Sequence, residues 1–215
     1  PSPTEARHVA EDLAGHIAGI IDGGPAAVGL ESTVVAVGAG GLELLRPGGV
    51  TAEELHEAAP RVPLTVPPEL SAAWPQPGAD ERHAPRSPGM KYAHYAPQGE
   101  MWVTVGGYEE GHTSLSEAAF QRIADMLAEA RRQGRRTGVL TYAEHASRYD
   151  HAHHVAVCGS LRDLRSVARQ LYAALRSFDE AGVEYIVAEG CPAEGVGEAI
   201  MNRLLKAAAY RIEHL

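Results

Sequence analysis

Val155-Ala156-Val157-Cys158, the helical pattern Ser160–Asp179 and Tyr185-Ile186-Val187-Ala188 together decide the fold. Two short apolar, β-branched runs flank a long segment with helical periodicity, which is the pattern of a strand, a crossover helix and a parallel strand. The same alternation extends in both directions. Met101–Val105 reads as a strand, and Ser114–Arg132 as a helix with Leu115, Ala119, Ile123, Met126 and Leu127 on one face. Gly138–Tyr142 is another strand, and Gly195–Ala209 a closing helix. Strands alternating with helices predict a parallel sheet covered on both faces, and right-handed crossovers make it a Rossmann-like layer.

Upstream, the prolines divide the chain. Nine of its 14 prolines fall between Pro60 and Pro97. Proline fixes φ and removes a backbone donor, so residues 60–99 read as a long linker. Ahead of it, residues 1–59 read as α/β. Ser2-Pro3-Thr4-Glu5 has the form of a helix start, with Ser2 as N-cap and Glu5 closing a capping box. Ile17–Asp22 is a candidate strand. Ser32–Val37 and Leu42–Arg46 read as strands joined by a tight turn at Gly38-Ala39-Gly40-Gly41. Thr51-Ala52-Glu53-Glu54 repeats the capping-box pattern before a short helix.

The chain has 215 residues, with 19 basic against 28 acidic side chains and a formal charge of −9. That balance argues against a general nucleic-acid coat and leaves room only for a weak RNA contact. No run approaches the roughly 20 apolar residues of a membrane-spanning helix, so no membrane partner is expected. Cys158 and Cys191 sit in apolar surroundings, form no C-x-x-C pair, and suit a reducing cytoplasm.

Several stretches carry chemistry. The Gly38–Gly41 run lacks phosphate-loop spacing and is better read as a hairpin turn. His151-Ala152-His153-His154 lacks a completing carboxylate or thiolate, so surface histidines are the expected reading and no metal site is assigned. Gly195-Val196-Gly197-Glu198, followed by Asn202-Arg203 and Lys206, opens the last helix; anion binding and simple capping with an interdomain contact both fit. If the first two strands pair, Ser32 and Arg46 lie at one end of the sheet, where a hydroxyl and a guanidinium can hold a phosphate or carboxylate; taken alone, the pair reads equally well as an ordinary surface Ser and Arg. Ser87–Pro97 packs Lys91, Tyr92, His94 and Tyr95 between prolines, which favours a loop folded over a site above an inert spacer.

These residues resemble a known family. Ser2-Pro3-Thr4 with His8-Val9, Asp22-Gly23-Gly24, Glu31-Ser32-Thr33-Val34-Val35, Leu45-Arg46-Pro47-Gly48, the Ser87–Pro97 run and Ala199-Ile200-Met201-Asn202-Arg203-Leu204 are similar to the long form of threonylcarbamoyl-AMP synthase. The resemblance implies three parts: the C-terminal portion of a YrdC-like α/β catalytic domain (1–59), a linker with a site-covering loop (60–99) and a Rossmann-like accessory domain (100–215). It implies a nucleotidyltransferase that joins ATP, L-threonine and bicarbonate into threonylcarbamoyl-adenylate with release of pyrophosphate, with Mg²⁺ present. Downstream tRNA-modification proteins would then receive the product.

By the same resemblance Thr4 and Arg46 contact ATP, Ser32 contacts threonine, Tyr95 or Tyr92 closes over the nucleotide, and Lys91 and His94 belong to the linker loop. Ala36 and Ala93 depart from the family's usual Asp and basic residue. The chain opens at Pro1 without the family's preceding basic cluster, so it is expected to be the trailing part of the synthase, inactive by itself. Two other readings stand beside this one: a non-catalytic nucleotide- or RNA-binding remnant, and a module that makes carbamoyl-adenylate.

Overall fold

The computed structural model describes residues 1–67, 70, 95–111 and 113–215. Among them, five strands form a wholly parallel sheet: β4 (Glu100–Val105), β5 (Thr137–Thr141), β6 (His154–Val157), β7 (Tyr185–Glu189) and β8 (Ile212–His214). β1, β2 and β3 belong to the smaller N-terminal sheet described below. The order across the large sheet is β6-β5-β7-β4-β8. α3 (Glu117–Arg132) packs on one face, where Ile123 and Leu127 meet Val139 and Val187. α4 (Leu164–Glu180) and α5 (Val196–Ala207) cover the other face, burying Met101, Val103, Leu140, Ile186 and Ala188. The period of two explains the split: Val139 and Val187 point one way, and their neighbours Leu140, Ile186 and Ala188 the other.

The N-terminal residues build a smaller unit. β1 (Val34–Gly38) and β2 (Gly41–Arg46) form an antiparallel hairpin through the glycine turn, as the sequence implies. β3 (Leu64–Thr65) joins β2 in parallel. It lies inside the segment read as linker; the pairing needs Gly41 at φ 117°, where a Cβ would stand 2.2 Å from the Pro63 carbonyl oxygen. α2 (Ala52–Ala58) has the expected capping box, with Thr51 Oγ1 accepting from Glu54 N at 3.2 Å and Glu54 from Thr51 N at 2.8 Å.

Some readings change. α1 spans Ala6–Leu13 with Glu5 as N-cap and no side-chain capping bond, because Ser2 donates instead to Glu31. Ile17–Asp22 forms no strand. Ser114 and Leu115 precede α3 in a turn, and Ser116 is its N-cap, accepting from Ala119 N at 3.2 Å. β8, too short to stand out in sequence, adds an edge beside β4.

Candidate functional site

The site begins at the open end of the β1–β2 hairpin. A bulge between Val34 and Val35 sets Arg46 opposite Val34 and turns its side chain back over Ser32. The guanidinium is buried and donates to the Ser32 carbonyl from Nε (3.2 Å) and Nη2 (2.9 Å), with Ser32 Oγ at 3.4 Å. Pro47-Gly48 then crosses so close to the preceding strand that a Cβ on Gly48 would lie 2.3 Å from Thr33 N, so only glycine fits. Thr33 clamps the same crossing, donating to the Val50 carbonyl at 2.6 Å and accepting from Val50 N at 3.1 Å. The E-S-T and R-P-G stretches are therefore one rigid corner, with Ser32 at its exposed lip.

Glu31 ties this corner to the accessory helices. Its carboxylate accepts from Ser2 Oγ at 2.6 Å, from the Tyr172 hydroxyl on α4 at 2.7 Å, and from Arg203 Nε on α5 at 3.0 Å. Burial pushes the Glu31 carboxyl up, but the hydrogen bonds from Ser2 and Tyr172 and the charge of Arg203 outweigh it, and the group stays below its ordinary range. Arg203 is fully buried and also donates from Nη1 to the Pro47 carbonyl at 2.7 Å. Lys206, one turn further along α5, is 5% exposed. Burial first, then the charges of Arg203 and Arg46, pull its ammonium down to about 8, with Glu31 opposing. Arg203 binds the carboxylate directly, and the charges of Arg203 and Arg46 both act on Lys206, so this side of the corner favours an incoming anion.

The sequence-derived residues distribute unevenly around this corner. Arg46 and Ser32 meet as expected. Thr4 is buried and turned toward α1: its amide donates to His8 Nδ1 at 3.1 Å, and its hydroxyl lies 3.4 Å from the same nitrogen. Ser2, two residues earlier, is the member of that motif that reaches Glu31. Tyr95 stacks on Tyr172 with ring centroids 5.3 Å apart, on a backbone held at φ 72°. It packs directly on the residue that holds Glu31. Lys91, Tyr92 and His94 lie outside the described residues.

The other candidates resolve into structural roles. His153 bonds Thr137, and His154 bonds Ser177. At the start of α5, Gly197 N and Glu198 N donate to Glu194 and Gly195 carbonyls, so those amides are occupied. Both cysteines are free and buried, and burial pushes the Cys191 thiol up to about 12.

Two family models match the chain, one on each side of residue 49. Residues 50–209 match the family model described as threonylcarbamoyl-AMP synthase, C-terminal domain, and residues 1–48 match one described as telomere recombination. The chain belongs to the threonylcarbamoyl-AMP synthase family. It is 46% identical to the threonylcarbamoyl-AMP synthase of Bacillus subtilis (strain 168) over 212 residues, covering 99% of this chain and 55% of the relative. It is 37% identical to the synthase of Pyrococcus abyssi over 212 residues, with the same coverage. Against the crystal structure of P. abyssi Sua5 complexed with L-threonine the TM-score is 0.81 at 37% identity, covering all of this chain and 56% of that one. The chain spans about half the length of the curated relatives it matches.

Within this family member, Glu31 and Arg46 fall in one matched region and Tyr172, Arg203 and Lys206 in the other, so the polar network joins the two. The interdomain contact expected of the Arg203 stretch is present, whereas Glu31 and Tyr172 as its partners do not show in the motifs. A signal was present: Val196, Ala199, Ile200, Arg203 and Ala207 share a stripe of α5, a helix buried at every position but Glu198 and Asn202. A guanidinium in such a stripe demands a buried partner.

Proposed function

We propose that this chain forms the Arg46/Ser32 wall of a threonylcarbamoyl-AMP synthase active site, together with the accessory domain that braces it. In the whole protein the reaction condenses ATP, L-threonine and bicarbonate into threonylcarbamoyl-adenylate and pyrophosphate, for use by tRNA-modification proteins in the cytoplasm. Residues 1–59 belong to the YrdC-like catalytic domain, 60–99 to the linker and 100–215 to the Rossmann-like accessory domain. The observation that carries this reading is the fixed corner at Ser32 and Arg46. There a guanidinium backed by Arg203 and Lys206 faces the exposed Ser32 hydroxyl.

Phosphoryl and nucleotidyl transfer depend on positioning and on neutralising charge at the phosphate oxygens. In this reading Arg46 binds the nucleotide phosphates, and its bonds to the Ser32 carbonyl hold the guanidinium in place before the substrate arrives. Ser32 orients threonine through its hydroxyl. Ser2 joins Thr4 as a candidate nucleotide-side residue, because Ser2 faces the network. Tyr95, seated on Tyr172, closes the nucleotide side and limits water at the unstable carboxylated threonine. Among the described residues no three His, Cys, Asp or Glu side chains converge on a metal position. Mg²⁺ enters only as the ion that accompanies ATP, held chiefly by the phosphates and water, and no step is assigned to it.

The test is pyrophosphate release by the whole protein carrying Arg46→Ala. Loss of one preorganised phosphate contact is expected to cost about 10²–10³-fold in rate. An unchanged rate removes Arg46 from the site.

A further inference from the structure

A second buried polar cluster lies at the carboxyl ends of β4, β5 and β7, away from the Arg46 corner. Glu189 ends β7 and is fully buried. One carboxylate oxygen, Oε1, accepts from Thr141 Oγ1 at 3.0 Å, and the other, Oε2, lies 2.7 Å from His145 Nδ1. The second ring nitrogen of His145, Nε2, is 3.2 Å from the Thr113 carbonyl oxygen. Thr113 belongs to the turn formed by residues 106–111 and 113–116, which leaves β4 and folds back over the sheet end. Glu109 N donates to the Ser114 carbonyl at 2.9 Å, and Ser116 N to the Gly107 carbonyl at 2.8 Å. The Tyr108 hydroxyl fixes one side of the turn by donating to the Gly190 carbonyl at 2.5 Å. His145 fixes the other.

The contacts at His145 dictate a proton count. A neutral ring protonated at Nδ1 satisfies Glu189 but points a lone pair at the Thr113 carbonyl. A neutral ring protonated at Nε2 satisfies Thr113 but points a lone pair at a carboxylate. Both contacts are made only when Nε2 carries a hydrogen and one further proton sits between Nδ1 and Glu189 Oε2. In so dry a place an unmade contact is costly, because no water replaces it.

We propose that His145 and Glu189 form a proton-dependent latch, in which a proton shared by the pair fastens the turn over the carboxyl ends of β4 and β7 and its loss lets the turn lift. The surroundings favour the latched form. Glu189 faces His145 from β7 and Glu144 from its own turn, Phe120 of α3 meets the ring edge-on at 5.1 Å, and Arg148 stacks on the far side at 4.2 Å from the Phe120 centroid. Tyr108 reaches in from the turn, and the Tyr149 hydroxyl is buried beside Glu189 without a partner in hydrogen-bond geometry. Burial pulls the His145 imidazolium down, but the bond and charge of Glu189, the Thr113 carbonyl and the charge of Glu144 together raise it above its ordinary value. A raised histidine contributes its stabilisation fully below about pH 6.5 and loses it as pH rises through the raised value.

The experiment is hydrogen exchange on the full chain at about pH 6 and about pH 9, corrected for intrinsic rates, alongside ¹⁵N spectra of labelled histidine. Protection in the turn is expected to fall about tenfold or more between the two conditions, while peptides from β5 and β7 keep theirs. His145 Nε2 is expected to be protonated at the lower pH and bare at the higher. Glu189→Gln is expected to remove the pH dependence from the turn. Equal protection at both pH values, or a bare Nε2 at the lower one, overturns the latch. Both readings come from the unsubstituted chain, so they decide the matter even if the variant fails to fold.

Discussion

Arg203→Met tests whether α4 and α5 brace the Ser32–Arg46 corner. The arginine side chain is fully buried and makes three bonds that a thioether cannot: to the Glu31 carboxylate at 3.0 Å, to the Pro47 carbonyl at 2.7 Å and, more weakly, to the neighbouring Asn202 Oδ1 at 3.2 Å. A charge-assisted bond contributes about 1.5–3 kcal/mol and a bond to a neutral carbonyl about 1 kcal/mol. Two effects pull the other way. Arg203 Nη2 is buried without a hydrogen-bond partner, and methionine removes that unmet desolvation. Glu31 also keeps Ser2 and Tyr172 and is 22% exposed, so its charge is not stranded. The net expectation is a loss of about 2–3 kcal/mol.

Urea unfolding of the full chain followed by far-UV circular dichroism measures it, in a cycle with Glu31→Gln. A coupling of about 1–2 kcal/mol between the two positions is expected for residues in direct contact. Because the Glu31 carboxyl is held below its ordinary range, this coupling should be complete above about pH 5 and fade as pH falls through the depressed value. A loss under about 0.5 kcal/mol with no coupling would refute the bracing role, since additive behaviour marks independent sites.

Three further outcomes follow from the geometry. Tyr95 seated on Tyr172 predicts that ATP protects the chain around Ala96-Pro97 from protease in the whole protein; equal cleavage with and without ATP would make the segment an inert spacer. Lys206, drawn down to about 8 by burial and by Arg203 and Arg46, binds fewer protons folded than unfolded at alkaline pH. Stability should therefore rise between about pH 8 and pH 10.4, and Lys206→Met should flatten that rise in a denaturation series. Gly197→Ala would place a Cβ 1.9 Å from the Pro192 carbonyl oxygen, a backbone clash that nothing can relieve cheaply. It should cost about 2 kcal/mol or more by thermal melting, and a variant as stable as the parent would contradict the packing at the start of α5.

What could be read from sequence alone follows the scale of the signal. The alternation from Met101 to Ala209 is a long periodic pattern, and the parallel sheet with helices on both faces follows from it. The Gly38–Gly41 turn and the Thr51 capping box are local chemistry, settled within a few residues. The start of α1 was misplaced because Ser2 had two claims on its hydroxyl, a local cap and Glu31 29 residues away, and the distant carboxylate won. Leu64-Thr65 was read as linker because β3 exists only through its pairing with β2, which no local propensity encodes. The corner is half visible in sequence: strand pairing brings Arg46 to Ser32, whereas Arg203 and Tyr172, the partners of Glu31, arrive from helices more than a hundred residues away.

That distance explains why the network is polar. Among the described residues before Met101, the buried apolar side chains are Leu44, Leu45, Pro47 and Pro97, beside buried Thr4, His8 and Arg46. An assembly of this kind lacks enough apolar area to fix itself by burial alone. Its attachment to α4 and α5 instead runs through directional groups: Arg176 to Asp12 at 2.8 Å and to the Pro1 carbonyl at 2.6 Å, Arg165 to Glu54 at 2.6 Å, and the Glu31–Tyr172–Arg203 junction. Exposed ion pairs such as Arg165–Glu54 contribute little, so the half-buried junctions at Arg176 and Glu31 must set the geometry. Hydrogen bonds specify angle and register where apolar contact does not, and the nucleotide-binding role proposed for this corner requires just that. The accessory domain is thus the larger hydrophobic body, and it holds Ser32 and Arg46 in place through a few charged contacts. A substitution at Arg203 or Tyr172 should then lower turnover in the whole protein while leaving the parallel sheet intact, a separation that comparing pyrophosphate release with the far-UV spectrum of each variant would reveal.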